Sequence, residues 1–284
     1  MFSVAATIFL LFLLLLPWLM RQAISFKLKN TSYRNIPFRF SAKRRYFYIL
    51  TLFTLMVIVA YIIVAVIVPQ LAPLIALVLF LFALPLLYRS YKHLIINNAW
   101  YGNAPFAFSA TRREMIGLFF RIALWNIFIS LLLALTALLI TKAATVIGVT
   151  DSFDIRSFTK KDYGSIVLTL FGTVVYLFNL GLYKGAIDAL LSNFTRNHTT
   201  LNSAKFKGTL HPLKLAWISA SNAILLLFSL GLLYPWTRVR YLKYKMENSF
   251  FACSNYDDFI SSGFEKSNPL GEEALDFFDI DIGF

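Results

Sequence analysis

Five stretches of this chain run without one charged side chain: Met1–Met20, Tyr46–Tyr88, Ile122–Thr141, Tyr163–Tyr183 and Leu215–Thr237. Crossing a bilayer takes about 20 mostly apolar residues. Each stretch is long enough for one spanning helix, and the second for two. Val68-Pro69-Gln70-Leu71-Ala72-Pro73 divides the second, because proline lacks the amide N–H and clashes with the preceding turn. Six membrane elements are expected, at about 1–20, 46–68, 71–88, 115–141, 163–183 and 215–236. With 58% hydrophobic and 14% charged residues and a mean hydropathy of +0.68, the fold class is a mainly α, polytopic helical membrane protein.

The first run has no basic residue ahead of it and Arg21, Lys27 and Lys29 behind it, so it reads as an uncleaved anchor rather than a signal peptide. A single cysteine, Cys253, excludes an intramolecular disulfide and a cysteine-rich metal cage. His93, His198 and His211 lie among basic and turn residues, a surface setting rather than a ligand set. Charge is divided along the chain. Residues 1–248 hold 26 Lys+Arg against 6 Asp+Glu, and residues 249–284 hold one lysine against eight acids. The expected domains are accordingly a membrane domain, 1–248, and an acidic tail, 249–284. The bases cluster between the apolar runs, as cytoplasmic loops of membrane proteins do. No nucleic-acid-binding motif accompanies them, so no nucleic-acid partner is expected.

One short text is spelled twice. NTSYRNIPFRFSA at 30–42 and NAWYGNAPFAFSA at 98–110 share their Asn, Tyr, Pro, Phe and Ser-Ala positions. Pro17-Trp18 precedes Asn30 by thirteen residues, Pro85 precedes Asn98 by thirteen, and Pro235-Trp236 precedes Asn248 by thirteen. A weaker copy without the proline runs from Lys184 to Asn197. After the asparagine come PFRF, PFAF and AKFK, whose period-two alternation signals strands. Arg34-Asn35, Gly102-Asn103 and Leu201-Asn202 are placed as hairpin turns. Ser41 and the capping-box spacing Thr111…Glu114 mark helix starts. The repeated unit is an apolar helix, a proline-aromatic exit, a short basic helix, a hairpin and a capped returning helix. Several such hairpins are expected to share edges in a small sheet.

SNAILLLFSLGLLYPWTRVR at 221–240, NFTRNHTTLNSAKFKGTL at 193–210 and the tail SNYDDF…GEEALDFFDIDIGF carry a resemblance. Over nearly its whole length the chain resembles the YjgN family (domain of unknown function 898) of bacterial inner-membrane proteins. Family members usually carry a soluble Phe-x-Phe-x-Gly segment before the first helix, whereas this sequence begins at the helix itself. The resemblance implies a bacterial inner-membrane location and no particular reaction.

Loops 21–45, 89–114 and 184–214 are basic, which places them in the cytoplasm. Six full spans would then leave the C-terminus outside. Yet Arg238, Arg240, Lys243 and Lys245 follow the last apolar run, and the repeat equates that exit with two cytoplasmic ones. Either 215–236 is one span that violates the charge rule, or a break near Ser219-Ala-Ser-Asn222 makes it a re-entrant hairpin, with Ser221 or Asn222 capping its second half. The C-terminus is expected in the cytoplasm.

Polar side chains inside apolar runs are the chemical leads: Arg121, Asn126, Asn179, Ser219, Ser221 and Asn222. Such groups are costly in lipid and face a cavity or a partner helix. Arg121 is close enough to the Thr111 cap to reach the interface, and the asparagines also serve as interhelical glue. Trp18, Arg21, Trp236, Arg238 and Arg240 suit headgroup-level anchoring, or a pocket for an anionic lipid headgroup. No catalytic constellation or cofactor motif accompanies them, so no enzyme and no cofactor is expected. Two functions fit. One is a channel- or transporter-like protein with its polar site at broken helices. The other is a non-enzymatic envelope scaffold binding anionic lipid or partner proteins through the basic joints. The acidic-aromatic tail, with Glu272, Glu273, Asp276, Asp279 and Asp281, would dock on the basic body or remain disordered.

Overall fold

The computed structural model describes residues 2–33, 36–147, 162–202 and 204–253. Helices are α1 (Phe2–Lys29), α2 (Arg44–Ile67), α3 (Ala72–Val78), α4 (Leu84–Ile96), α5 (Arg112–Ile147), α6 (Asp162–Asn197), α7 (Pro212–Phe228) and α8 (Tyr234–Glu247). Strands are β1 (Ser32–Tyr33), β2 (Ile36–Phe40), β3 (Ala99–Tyr101), β4 (Ala104–Phe108), β5 (Thr199–Leu201), β6 (Ala204–Gly208) and β7 (Ser249–Ala252). Among the described residues five helical segments are long and apolar enough to cross a membrane: Leu11–Lys29, Arg44–Ile67, Pro69–Ile96, Arg112–Lys142 and Leu170–Asn197.

The break expected at Val68–Pro73 is present as a 3-10 turn, Pro69–Leu71, and a π turn over Leu79–Ala83 joins α3 to α4. No helix break separates the apolar from the basic segment at Pro17 or after Tyr183. α1 continues through Pro17 to Lys29, and α6 continues through Lys184 to Asn197. A change from apolar to basic side chains alters what surrounds a helix without breaking its ladder, and lysine and arginine are good helix formers. Pro85 and Pro235 sit in the first turns of α4 and α8, where the missing N–H is harmless.

The sixth expected element, 215–236, is not continuous. α7 ends at Phe228 and α8 begins at Tyr234, so the break lies at 229–233 rather than at Ser219–Asn222. Leu230 adopts φ 50° and Gly231 φ 87°. The Gly231 N–H donates to the Leu226 carbonyl at 2.8 Å and the Leu230 N–H to the Leu227 carbonyl at 3.2 Å. This is a Schellman ending, which needs one left-handed residue just past the helix.

The seven strands form one curled antiparallel sheet in sequence order. Two-residue connections pair Tyr33 with Ile36, Tyr101 with Ala104 and Leu201 with Ala204. The third turn therefore begins at Asn202, one residue later than expected, with Leu201 inside β5. Asn202 has φ 52° where Gly102 has 57°, and asparagine tolerates that left-handed conformation far better than leucine. Residues 34–35 lie outside the described set.

The chain divides into two compact units. The first is Met1–Phe119, Thr195–Lys207 and the segment from Phe251, and the second is Phe120–Phe194 and Gly208–Phe250. In the first unit β4 alternates buried Ala104, Phe106 and Phe108 with exposed Pro105 and Ala107. Phe38, Phe106, Phe206 and Phe251 then form a ladder across strands β2, β4, β6 and β7, with ring centroids 6.2, 6.1 and 4.9 Å apart. Aromatic pairs at such centroid distances each contribute about 0.5–1.5 kcal/mol beyond their area burial. The second unit packs Ala189, Leu210, Leu215, Ile218 and Tyr244 as its core. There α6 and α7 approach closely. A Cβ on Gly181 would lie 2.5 Å from the Ala220 Cα, and one on Gly185 2.5 Å from the Ala216 Cα. Only glycine admits this approach.

Candidate functional site

Helix starts and strand ends fix the joints. Thr111 and Glu114 form the expected capping box: the Thr111 N–H donates to Glu114 Oε2 at 2.7 Å, and the Glu114 N–H to Thr111 Oγ1 at 3.3 Å. Ser41 does not cap α2. Its N–H and hydroxyl both donate to the Asn98 carbonyl, at 2.9 and 3.3 Å, while Lys43 takes the cap position without a side-chain bond. Beyond each hairpin one carbonyl is held by the preceding helix. Arg21 Nε donates to the Ala42 carbonyl at 3.0 Å, and Arg89 Nε to the Ala110 carbonyl at 2.8 Å. In the second unit Asn193 takes this role, donating to the Leu210 carbonyl at 2.7 Å and accepting the Leu210 N–H at 2.9 Å.

The candidate polar residues fall into two groups in the second unit. Ser221, Asn222 and Arg240 tie α7 to α8. Asn222 Nδ2 donates to the Thr237 carbonyl at 3.0 Å. Arg240 Nη1 donates to Ser221 Oγ at 2.8 Å and Asn222 Oδ1 at 3.1 Å. Ser221 in turn donates to the Ile218 carbonyl, and Trp236 lies 5.6 Å from the Arg240 guanidinium. Asn222 is 8% exposed with both ends of its amide used. This is a satisfied brace. Neither Ser221 nor Asn222 caps α8, since both lie inside α7.

Asn126 and Asn179 meet elsewhere. A groove of about 200 Å³ between α5 and α6 is lined by Asn126, Ser130, Tyr176, Asn179 and Tyr183 together with aliphatic side chains. On each helix the lining recurs at three- and four-residue steps, which places it on one stripe. Ser130 donates to Asn126 Oδ1 at 3.2 Å, and Asn179 Nδ2 to the Val175 carbonyl at 2.8 Å. Asn179 is 4% exposed, yet its Oδ1 accepts no hydrogen bond. An orphaned buried acceptor costs about 1–3 kcal/mol, and Ser219 Oγ on α7 is left in the same way. The lining carries no charge, which suits a hydrogen-bonding neutral group and not an ion.

The remaining candidates stand apart. Arg121 and Arg238 are exposed, and Ser219 Oγ is buried with no partner beside the Gly181 approach. Trp18 and Trp236 are exposed at 36% and 53%, as membrane-interface anchors would be. Two features escape a reading of the sequence alone. Asp188 on α6 pairs with Lys245 on α8 at 3.2 Å and accepts the Tyr241 hydroxyl. Gly181-x-x-x-Gly185 is a small-residue step, and its four-residue spacing is the available signal. The tail residues from 254 on, with the docking expectation they carry, lie outside the described residues.

A mainly helical chain with, among the described residues, five helical segments of membrane-crossing length is compatible with a membrane protein. The chain belongs to the bacterial protein family of unknown function DUF898, whose model matches residues 1–277, as the residues at 193–240 imply. No curated protein and no solved structure matches it.

Proposed function

We propose that the protein is a multi-pass bacterial inner-membrane protein built from repeated helix-hairpin units, channel- or transporter-like, with its polar site in the α5–α6 groove. The observation that carries this reading is the buried, unpaired Oδ1 of Asn179, a residue that lines a groove with Asn126 and Ser130. The broken helices are a poorer place for the site. Phe228, Leu230 and Leu232 are 75%, 92% and 84% exposed at the break, and the polar groups nearby are consumed by the brace. At about 200 Å³ the groove is smaller than the roughly 300–1,000 Å³ of drug-sized sites. The solute class is therefore small and uncharged, with a hydrogen-bond donor for Asn179. Liposomes reconstituted with the protein are expected to pass glycerol or urea faster than empty liposomes, and the Asn179→Leu variant to lose that flux. Wild-type liposomes no leakier than empty ones overturn the reading.

In this reading α7 and α8 form a re-entrant hairpin and the C-terminus is cytoplasmic. α7, at 17 residues, is shorter than the about 20 needed to span. The leucine-rich tip is what lipid would cover, and Arg238, Arg240, Lys243 and Lys245 follow on α8. A reporter that matures only in the cytoplasm, fused at Phe284, is expected to be active. Activity of an externally active reporter alone restores a full sixth crossing.

A further inference from the structure

We infer that the first unit holds a binding site for an anionic phospholipid at the start of α5. A cleft of about 490 Å³ is lined by Phe53, Phe82, Leu86, Arg89, Ser90 and Arg112, with no carboxylate in the lining. Its two ends differ in chemistry. Phe53, Phe82 and Leu86 are 48%, 53% and 37% exposed, an apolar wall open to the surroundings. Arg89, Ser90 and Arg112 bring two guanidinium groups and a hydroxyl to the other end.

Arg89 is preset for this task. Its Nε is spent on the Ala110 carbonyl, which fixes the plane of the guanidinium at the junction of β4 and α5. The terminal nitrogens of such a fork match two oxygens of a phosphate. Ser90 donates its own proton to the Leu86 carbonyl, so its oxygen remains an acceptor for a headgroup hydroxyl. Arg112, exposed at the first turn of α5, adds the second positive charge, while the Glu114 carboxylate of that turn is spent on the Thr111 cap.

The occupant must be an amphiphile. A free phosphate ion would neutralise the arginines and leave three large apolar side chains facing water. A lipid places its phosphate on Arg89 and Arg112 and an acyl chain along Phe53, Phe82 and Leu86. The volume lies within the range of sites that enclose a small ligand. This site is separate from the α5–α6 groove, and the flux experiment neither supports nor removes it.

The full-length protein in detergent, titrated with phosphatidylglycerol or phosphatidylcholine, reveals bound lipid directly by native mass spectrometry. Phosphatidylglycerol is expected to bind preferentially. Arg112→Glu is expected to weaken it about tenfold or more, the scale of removing one charge-assisted hydrogen bond, and Ser90→Trp to block it by filling the cleft. Arg113→Glu makes the same charge change one residue outside the lining and is expected to have little effect. Equal losses in Arg112→Glu and Arg113→Glu would reduce the effect to general surface charge and overturn the site. So would unaltered binding in Ser90→Trp. Displacement of the lipid by inorganic phosphate at low concentration would show that the apolar wall contributes nothing and overturn the lipid assignment.

Discussion

Asn222 and Asn179 are the same residue type, in apolar helices of the same unit, and both are more than nine-tenths buried. Asn222 has each end of its amide bonded, to the Thr237 carbonyl and to Arg240. Asn179 bonds through Nδ2 to its own helix at Val175 and leaves a buried Oδ1 without a partner, on a residue that lines a groove. In the proposed reading the first is kept for packing and the second for a ligand, and hydrogen-bond satisfaction rather than polarity in an apolar run tells the two asparagines apart.

Asn179 and Asn222 sit on α6 and α7, two helices that approach closely at Gly181 and Gly185. Gly185→Leu is the harshest way to break that approach. Its Cβ would stand 2.4 Å from the Leu215 carbonyl oxygen and 2.5 Å from the Ala216 Cα, both backbone atoms that cannot swing aside. A loss at or above the upper end of ordinary overpacking, about 3 kcal/mol or more, is expected. Thermal unfolding in detergent measures it. A variant as stable as wild type would mean that α6 and α7 are not held against each other in this way.

Asn222→Leu is the next largest change. It leaves the Thr237 carbonyl without its side-chain donor and Arg240 Nη1 with Ser221 Oγ alone. A cost of about 1.5–3 kcal/mol follows from the lost charge-assisted bond to Arg240, while the Thr237 carbonyl keeps its helix-ladder partner. Combining it with Arg240→Met should cost less than the two single losses added together, since both remove one shared network. Strict additivity would show that the brace is not a unit.

Local chemistry is legible where partners lie close in sequence. Thr111 and Glu114 are three apart, and Gly102-Asn103 is a turn on its own chemistry, so the sequence locates both. Ser41 looks like a cap for the same reason and is not one, because its partner is Asn98 across the sheet. Serine and asparagine favour helix starts, which puts the expected α7–α8 break at Ser219–Asn222. Tertiary bonds from Arg240 and Thr237 instead hold those residues inside the helix. The usable signal is Ser229-Leu230-Gly231, which supplies the left-handed ending. Asn126 and Asn179 both stand out as polar residues in apolar runs, but 53 positions separate them, and nothing in the spacing says that they share a groove. Asp188 does not stand out because the apolar run stops at Tyr183, whereas the helix does not.

Asn179→Leu carries the smallest expected change in stability and the most informative one. The substitution removes an unsatisfied buried acceptor, which is favourable, and the bond from Nδ2 to the Val175 carbonyl, which is not. Val175 loses little, because a backbone carbonyl inside a helix already has its ladder partner. The two terms are each about 1 kcal/mol and opposed, so unfolding should shift by less than about 1 kcal/mol in either direction. Asn222→Leu, chemically the same substitution in the same unit, is expected to exceed that range. If Asn179→Leu proves as destabilising as Asn222→Leu, then Asn179 is a second brace and the groove loses its claim to bind anything. A near-neutral stability together with lost solute flux would be the signature of a residue retained for its ligand.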